Sequence, residues 1–361
     1  MTTSITAAVA TEFNQPLTME TLNLRKPGPG EIQVRMQAVA ICHSDITYLD
    51  GGWGGDLPAV YGHEAAGVVE AVGPGVTRVE VGQRAIVTLI KSCGTCPTCH
   101  TGRPVYCANW TPAEPVLSRA DGTPVLQGLK TGAFAERVVV DQSQAVPIAD
   151  TLSADIACLL ACGVPTGFGA AVNTARVRPG DNVVVIGAGG VGLNAVQGAR
   201  IAGAARIVAV DLSQEKLNDA KEFGATDGVL ASEAKPWRAA QAAMRGQMAD
   251  HVFVTVGAIP AYQTATRYLA AGGTAYAVGM PHSGQTAEYE PVMLGYTGQA
   301  LRGSLMGEVV LTRDIPYMID LYEQGRLKLD ELVTGRWKLS QINEAMDDTR
   351  AGKARRNVIV F

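Results

Sequence analysis

The sequence predicts an α/β protein of two domains, one built as an antiparallel β-barrel and the other as a doubly wound parallel sheet. Three observations carry this. Short β-branched segments separated by Gly/Pro turns fill the first 150 residues, apolar strands alternate with helices after residue 153, and a glycine-rich turn follows the first strand of that alternating stretch.

A chain of 361 residues exceeds what one hydrophobic core usually organises, so two domains are expected. An apolar fraction of 47% and a charged fraction of 18% describe a folded enzyme and not a disordered chain. The net charge of -4 argues against nucleic acid or an anionic membrane as the main partner. No apolar run is long enough to span a bilayer. The opening MTTSITAAVATEF lacks the basic and apolar regions of a secretory signal, so a cytoplasmic location is the default expectation.

In the first domain, residues 31–41, 67–72, 85–89 and 137–140 read as strands, punctuated by Lys26-Pro27-Gly28-Pro29-Gly30 and Gly73-Pro74-Gly75. Residues 153–161 and 166–174 have helical spacing. Strands at 183–186, 207–210, 228–230, 251–256 and 274–278 then alternate with helices at 193–202, 214–223 and 262–269. Such alternation builds a parallel sheet covered on both faces. A helix at 314–323 and a strand at 357–360 close the chain.

Gly187-Ala188-Gly189-Gly190-Val191-Gly192 leaves the strand at 183–186 and opens a helix. Gly187 permits the tight turn, Gly189 lets a pyrophosphate approach the helix N-terminus, and Gly192 lets helix and strand pack closely. Asp211 ends the next strand, 19 residues beyond Gly192, where a carboxylate binds adenosine ribose hydroxyls and repels a 2′-phosphate. NAD is therefore expected over NADP. Lys216, one helical turn on, can reach the same ribose.

Cys93, Cys96, Cys99 and Cys107 supply four thiols from one loop, the donor set of a closed structural zinc site. Clustered cysteines in an intracellular enzyme read as metal ligands before disulfides. Cys42, His63 and Cys162 form a second, dispersed set. Two thiolates, one imidazole and one vacancy suit a catalytic zinc, but spacing alone does not group them, and each taken singly is also an ordinary core residue.

With these motifs together the chain resembles the medium-chain, zinc-dependent alcohol dehydrogenases. The matching segments are Cys42–Asp45, Gly62-His63-Glu64-Ala65-Ala66-Gly67, the four-cysteine lobe, Ala161-Cys162-Gly163, the glycine turn, Asp211 and the tail from Arg356 to Phe361. The resemblance implies a GroES-like catalytic domain at 1–163, with a zinc lobe at 91–110, a Rossmann NAD-binding domain at 164–305, and a return to the catalytic domain at 306–361. It implies Cys42, His63 and Cys162 as catalytic zinc ligands and a second, structural zinc in the lobe. Ser44 is implied beside the alcohol oxygen, with Asp45 behind His63 and Glu64 behind the metal. His43, Thr166, Gly190, Val191, Val256 and Val278 are implied at the cofactor, and Arg356 near its pyrophosphate and near Glu64. Some relatives end a proton relay with histidine where this chain has Thr47, so Thr47, His43 or water is the expected end of the relay here. Trp53, Leu89, Leu129, Met280, Leu305 and Met306 are implied as an apolar substrate wall, which suits a medium-sized or aromatic primary alcohol or its aldehyde. A homodimer is expected, with a tetramer as the alternative, paired through the edge at 274–300. Cys158 reads as a small buried hydrophobe.

The chain is also similar to a bacterial branch containing formaldehyde dehydrogenases dependent on glutathione or mycothiol, for which Arg103, Arg119 and Lys130 are candidate cationic contacts. A nonenzymatic nucleotide-binding relative is the remaining alternative, and the intact Cys42, His63 and Cys162 count against it.

Overall fold

The computed structural model describes residues 2–109 and 114–361. Residue 110, where the expected zinc lobe ends, lies outside the described residues. The chain divides into two compact units: Met1–Cys162 with Val310–Ile319 and Leu329–Phe361, and Gly163–Val309 with Asp320–Lys328. The sequence reading returned everything after residue 305 to the first domain. The structure gives 320–328 to the second unit instead, and Gln197 supplies a physical reason. Its fully buried side chain donates from Nε2 to the Lys328 carbonyl at 3.0 Å and accepts from the Lys328 N–H at 2.7 Å.

In the first unit, the strands Thr2–Ala10, Thr18–Arg25, Leu117–Ser118, Pro124–Gln127 and Ala59–Val60 close into a barrel. A second sheet runs Ala145–Ile148, Arg84–Val87, Glu64–Val72, Glu31–Ala40, Arg356–Val360 and Val333–Lys338, and Arg137–Asp141 also pairs with Glu31–Ala40. Ile5, Leu22, Val34, Met36, Val87, Phe134 and Ile359 fill the core beneath. The last strand lies antiparallel to Glu31–Ala40, with Val358 opposite Ala40. Arg356 is thereby brought beside the segment that delivers Cys42.

In the second unit, six parallel strands run in the order Asp227–Leu230, Arg206–Asp211, Asn182–Ile186, Ala249–Val254, Leu269–Ala277 and Ala300–Gly303. All five residues of Asn182–Ile186 are buried, as a central strand covered on both faces requires. The strand order reverses around it, the switch point at which ligands bind such sheets. The helix Gln214–Phe223 has the bounds the sequence predicts. The stretch expected as one helix at 166–174 is an α-helix, Gly163–Gly169, that widens into π turns at Ala170–Ala175. Among the described residues no single helix is long and apolar enough to cross a membrane.

Candidate active site

Cys42 ends the run from strand Glu31–Ala40 and precedes the helix His43–Leu49. Asp45, in the first turn of that helix, is completely buried. Its Oδ2 accepts from the Cys42 N–H at 3.1 Å, and its Oδ1 accepts from the Gly62 N–H at 3.0 Å and lies 3.0 Å from His63 Nδ1. A carboxylate oxygen can only accept, so His63 carries its proton on Nδ1 and turns the lone pair of Nε2 the other way. That Nε2 is buried and has no hydrogen-bond partner. An orphaned buried acceptor is costly and calls for a partner such as an ion.

The donors around it supply that explanation. Ligand atoms of Cys42, His63, Glu64 and Cys162 all lie within 4.8 Å of one another, and all four residues are buried. Without a cation the cluster is electrostatically awkward. A hydrogen bond from Cys162 pulls the Cys42 thiol well below its ordinary range, while the same bond and burial push Cys162 up. Burial disfavours a charged His63 ring, yet Asp45 and Cys42 together raise it well above the usual histidine value. Two sulfurs and an imidazole nitrogen around one divalent ion remove all three conflicts, so these residues fit zinc.

Glu64 is the fourth donor, and it is tethered. Arg356 Nη2 donates to both of its carboxylate oxygens at 2.5 Å, and Nη1 donates to the Ile41 carbonyl at 3.2 Å. Burial pushes the Glu64 carboxyl up to about 8, with Arg356 opposing. Arg356, expected near the cofactor pyrophosphate and Glu64, is only 5% exposed and binds Glu64. Cys158 is buried as expected, and its thiol faces the Asp155 carbonyl at 3.3 Å.

In the lobe, Cys96 Sγ lies 3.5 Å from Cys99 Sγ and 3.8 Å from Cys107 Sγ. Those separations are far too long for a disulfide, whereas four sulfurs at tetrahedral zinc stand about 3.8 Å apart. Cys93 Sγ accepts from the N–H groups of Thr95 and Cys96, and Cys107 Sγ accepts from that of Cys93. The Thr98 hydroxyl lowers Cys96 to about 5, while burial and the neighbouring Cys96 push Cys99 up to about 12. Four crowded thiols divided in this way also fit a divalent cation.

The second unit carries the glycine turn. A Cβ on Gly192 would stand 1.8 Å from the Gly187 carbonyl oxygen, and Gly187 itself has φ +98°. Nothing lies within 4 Å of a Cβ at Gly189, which leaves the open face a pyrophosphate needs. Gly190 and Val191 open the helix Gly190–Ala202. Asp211 Oδ2 accepts from the Ala188 N–H at 2.8 Å and Oδ1 from the Ser213 N–H at 3.0 Å, which fixes the carboxylate over the turn. Lys216 follows in the first turn of Gln214–Phe223 and is half-buried. Val256 packs where a Gly187 side chain would go, Val278 is buried, and Thr166 Oγ1 lies 3.5 Å from Met306 Sδ.

On the helix beginning at His43, Ser44 is half-buried and Thr47 Oγ1 donates to the His43 carbonyl at 2.9 Å. Trp53, Leu89 and Leu129 are half-buried in the first unit. In the second unit Met280 and Leu305 are exposed and Met306 is buried. Sequence reasoning missed Tyr48 and Tyr61, which stack 5.7 Å apart while Tyr48 meets Trp53 edge-on at 5.2 Å. No motif marks them, because a ring stack is set by three-dimensional packing. Arg119, a candidate contact for a thiol carrier, makes two 2.8 Å bonds to Glu20.

A thiolate–imidazole metal cluster in a GroES-like unit and a glycine turn in a doubly wound sheet define a zinc-binding dehydrogenase. Residues 28–150 match the family described as alcohol dehydrogenase GroES-like domain, and residues 190–324 match zinc-binding dehydrogenase. The chain belongs to the medium-chain, zinc-dependent alcohol dehydrogenase family. It is 36% identical to the NDMA-dependent alcohol dehydrogenase of Amycolatopsis methanolica, over 98% of each chain. The crystal structure of an alcohol dehydrogenase zinc-binding domain protein from Burkholderia ambifaria superposes with TM-score 0.94 at 33% identity, covering 100% of both chains. Benzyl alcohol dehydrogenase from Acinetobacter calcoaceticus superposes with TM-score 0.92 at 29% identity, covering 99% of both.

Proposed function

We propose that this alcohol dehydrogenase uses NAD, carries one catalytic and one structural zinc, and interconverts a medium-sized or aromatic primary alcohol and its aldehyde. The observation that carries the reading is the buried, unpartnered Nε2 of His63 facing two cysteine sulfurs, with Asp45 holding the opposite ring nitrogen. When bound, zinc supplies Lewis acidity to the substrate oxygen and NAD accepts the hydride. The chain supplies the rest. Cys42, His63 and Cys162 hold the metal, and Arg356 restrains Glu64 so that a fourth position stays available to substrate. Ser44 Oγ takes the hydroxyl proton. The Thr47 hydroxyl hydrogen is engaged with the His43 carbonyl, so the exposed His43 ring is the better proton exit. The Asp211 carboxylate favours NAD by repelling a 2′-phosphate.

The apolar Trp53, Leu89 and Leu129, and the benzyl alcohol dehydrogenase among the similar structures, support an aromatic substrate. The two Arg119 bonds to Glu20 count against a charged thiol carrier. The edge strand Ala300–Gly303 is exposed at all four residues, beside exposed Val292 and Tyr296, which favours pairing of two copies there; sedimentation of the purified chain tests this. The central test combines metal analysis with turnover of benzyl alcohol, using NAD, NADP and NDMA in turn as acceptor. Two zinc ions per chain and reduction of NAD support the proposal. One zinc, or turnover with NDMA alone, defeats the corresponding part of it.

A further inference from the structure

Leu129 and Lys130 are consecutive L-residues with φ of 51° and 59°, in the left-handed region that disfavours side chains. Such a turn persists only where its surroundings impose it. Here they do so from three sides. A Cβ on Gly128 would stand 2.2 Å from Cδ1 of Tyr61, so the turn is pressed onto the ring that stacks with Tyr48. Gln127 Nε2 donates to the Thr131 carbonyl at 2.8 Å and the Val139 carbonyl at 3.1 Å. Gln144 is 1% exposed, and its Nε2 donates to the Thr88 carbonyl at 2.8 Å and the Lys130 carbonyl at 3.1 Å. Its Oε1 accepts from the Asp141 N–H at 3.3 Å, and its backbone carbonyl accepts from the Thr88 N–H at 3.0 Å. One buried amide thus bridges the residue before Leu89 and the residue after Leu129.

We propose that Gln144 is a positioning residue for substrate selection, fixing the spacing between Leu89 and Leu129 through its side-chain bonds to Thr88 and Lys130. The proposal rests on the reading above that Leu89 and Leu129 face the substrate. Two amide hydrogens on two carbonyls set a separation that hydrophobic packing alone would leave adjustable. A wall held in this way discriminates by shape, and a flat ring gains from it where a two-carbon alcohol does not.

The test is Gln144→Met, which keeps length and removes both donors; Gln144→Asn, too short to span both carbonyls, replaces it if it does not fold. Loss of the bridge raises KM for benzyl alcohol about tenfold, with kcat and the KM for ethanol within about twofold. Hydrogen exchange at the amides of residues 128–132 quickens about tenfold, while that of the dinucleotide-binding unit and the zinc content stay as they were. Adding Lys130→Gly, which relieves the left-handed strain, restores the benzyl alcohol KM. Loss of activity on both alcohols alike, or failure of Lys130→Gly to restore selectivity, reduces Gln144 to a fold-stabilising residue and overturns the proposal. If the unmutated chain oxidises neither alcohol with any acceptor, the proposed function falls and the substrate-selection role of Gln144 falls with it; faster exchange at 128–132 then shows only that Gln144 holds the turn.

Discussion

Asp45 Oδ1 lies 3.0 Å from His63 Nδ1, and both side chains are fully buried. That single contact chooses the tautomer that frees Nε2 for the metal. Asp45→Asn presents an amide that can donate, so the ring can take the other tautomer. Zinc affinity at the catalytic position falls about 10–100-fold. Competition with a chelator measures it, and zinc retention equal to that of the unmutated protein would show that Asp45 only caps the helix.

Arg356 and Glu64 form an ion pair whose two side chains are both buried. Removing one partner strands the other, so Arg356→Met destabilises the first unit by about 3–5 kcal/mol. Pairing it with Glu64→Gln recovers a large part of that loss. Urea unfolding of the single and double variants reads the difference, and equal losses in both would remove the pair from the account.

Much of this was legible in the sequence, and the limits have physical causes. The four lobe cysteines sit within one loop, so their spacing alone marks them as one candidate metal site. Asn182–Ile186, the glycine turn and Asp211 are likewise local, and the structure keeps them in register. Cys42, His63 and Cys162 are distant in sequence, and only family resemblance grouped them before the fold did. Gln144 had no signal at all. It looks like a polar loop residue, and its importance lies in two carbonyls, at residues 88 and 130, that sequence cannot place beside it. The segment 320–328 groups with the second unit through side chains distant in sequence, Gln197 and Arg200 on one helix among them, which no local pattern reveals.

Zinc binding proposed for the four-cysteine lobe has a pH dependence whose sign follows from the thiols. With Cys96 lowered to about 5 and Cys99 raised to about 12, the metal-free loop near neutrality holds Cys99 protonated. Zinc must displace that proton, so binding is opposed by acid and strengthened by base. Apparent affinity falls about tenfold per pH unit for each proton released, and chelator titrations at about pH 8 and about pH 6 measure the slope. A flat response would mean that the thiols are already ionised before zinc arrives.

Ser44 and His43 occupy the first turn of one helix, and the proposed relay needs both. Ser44→Ala lowers kcat by about two orders of magnitude with zinc content unchanged, because it removes the hydroxyl proposed to take the substrate proton. His43→Gln acts later in the path. It lowers kcat less and alters the shape of the pH–rate profile, because the proton then leaves by another route. Normal turnover in Ser44→Ala would take Ser44 out of the relay, and an unaltered profile in His43→Gln would leave water as the exit.

Asp211 is anchored by two backbone N–H groups, Ala188 on Oδ2 and Ser213 on Oδ1, which hold its carboxylate over the turn. A fixed negative charge is a repulsive element against a 2′-phosphate as well as an acceptor for ribose hydroxyls. Asp211→Ser removes both effects. The ratio of kcat/KM for NAD over NADP then falls by about two orders of magnitude, partly through lost NAD affinity and partly through admission of NADP. Steady-state kinetics with benzyl alcohol and each dinucleotide gives the two contributions separately. An unmutated chain that already prefers NADP would place the discriminating charge somewhere other than Asp211.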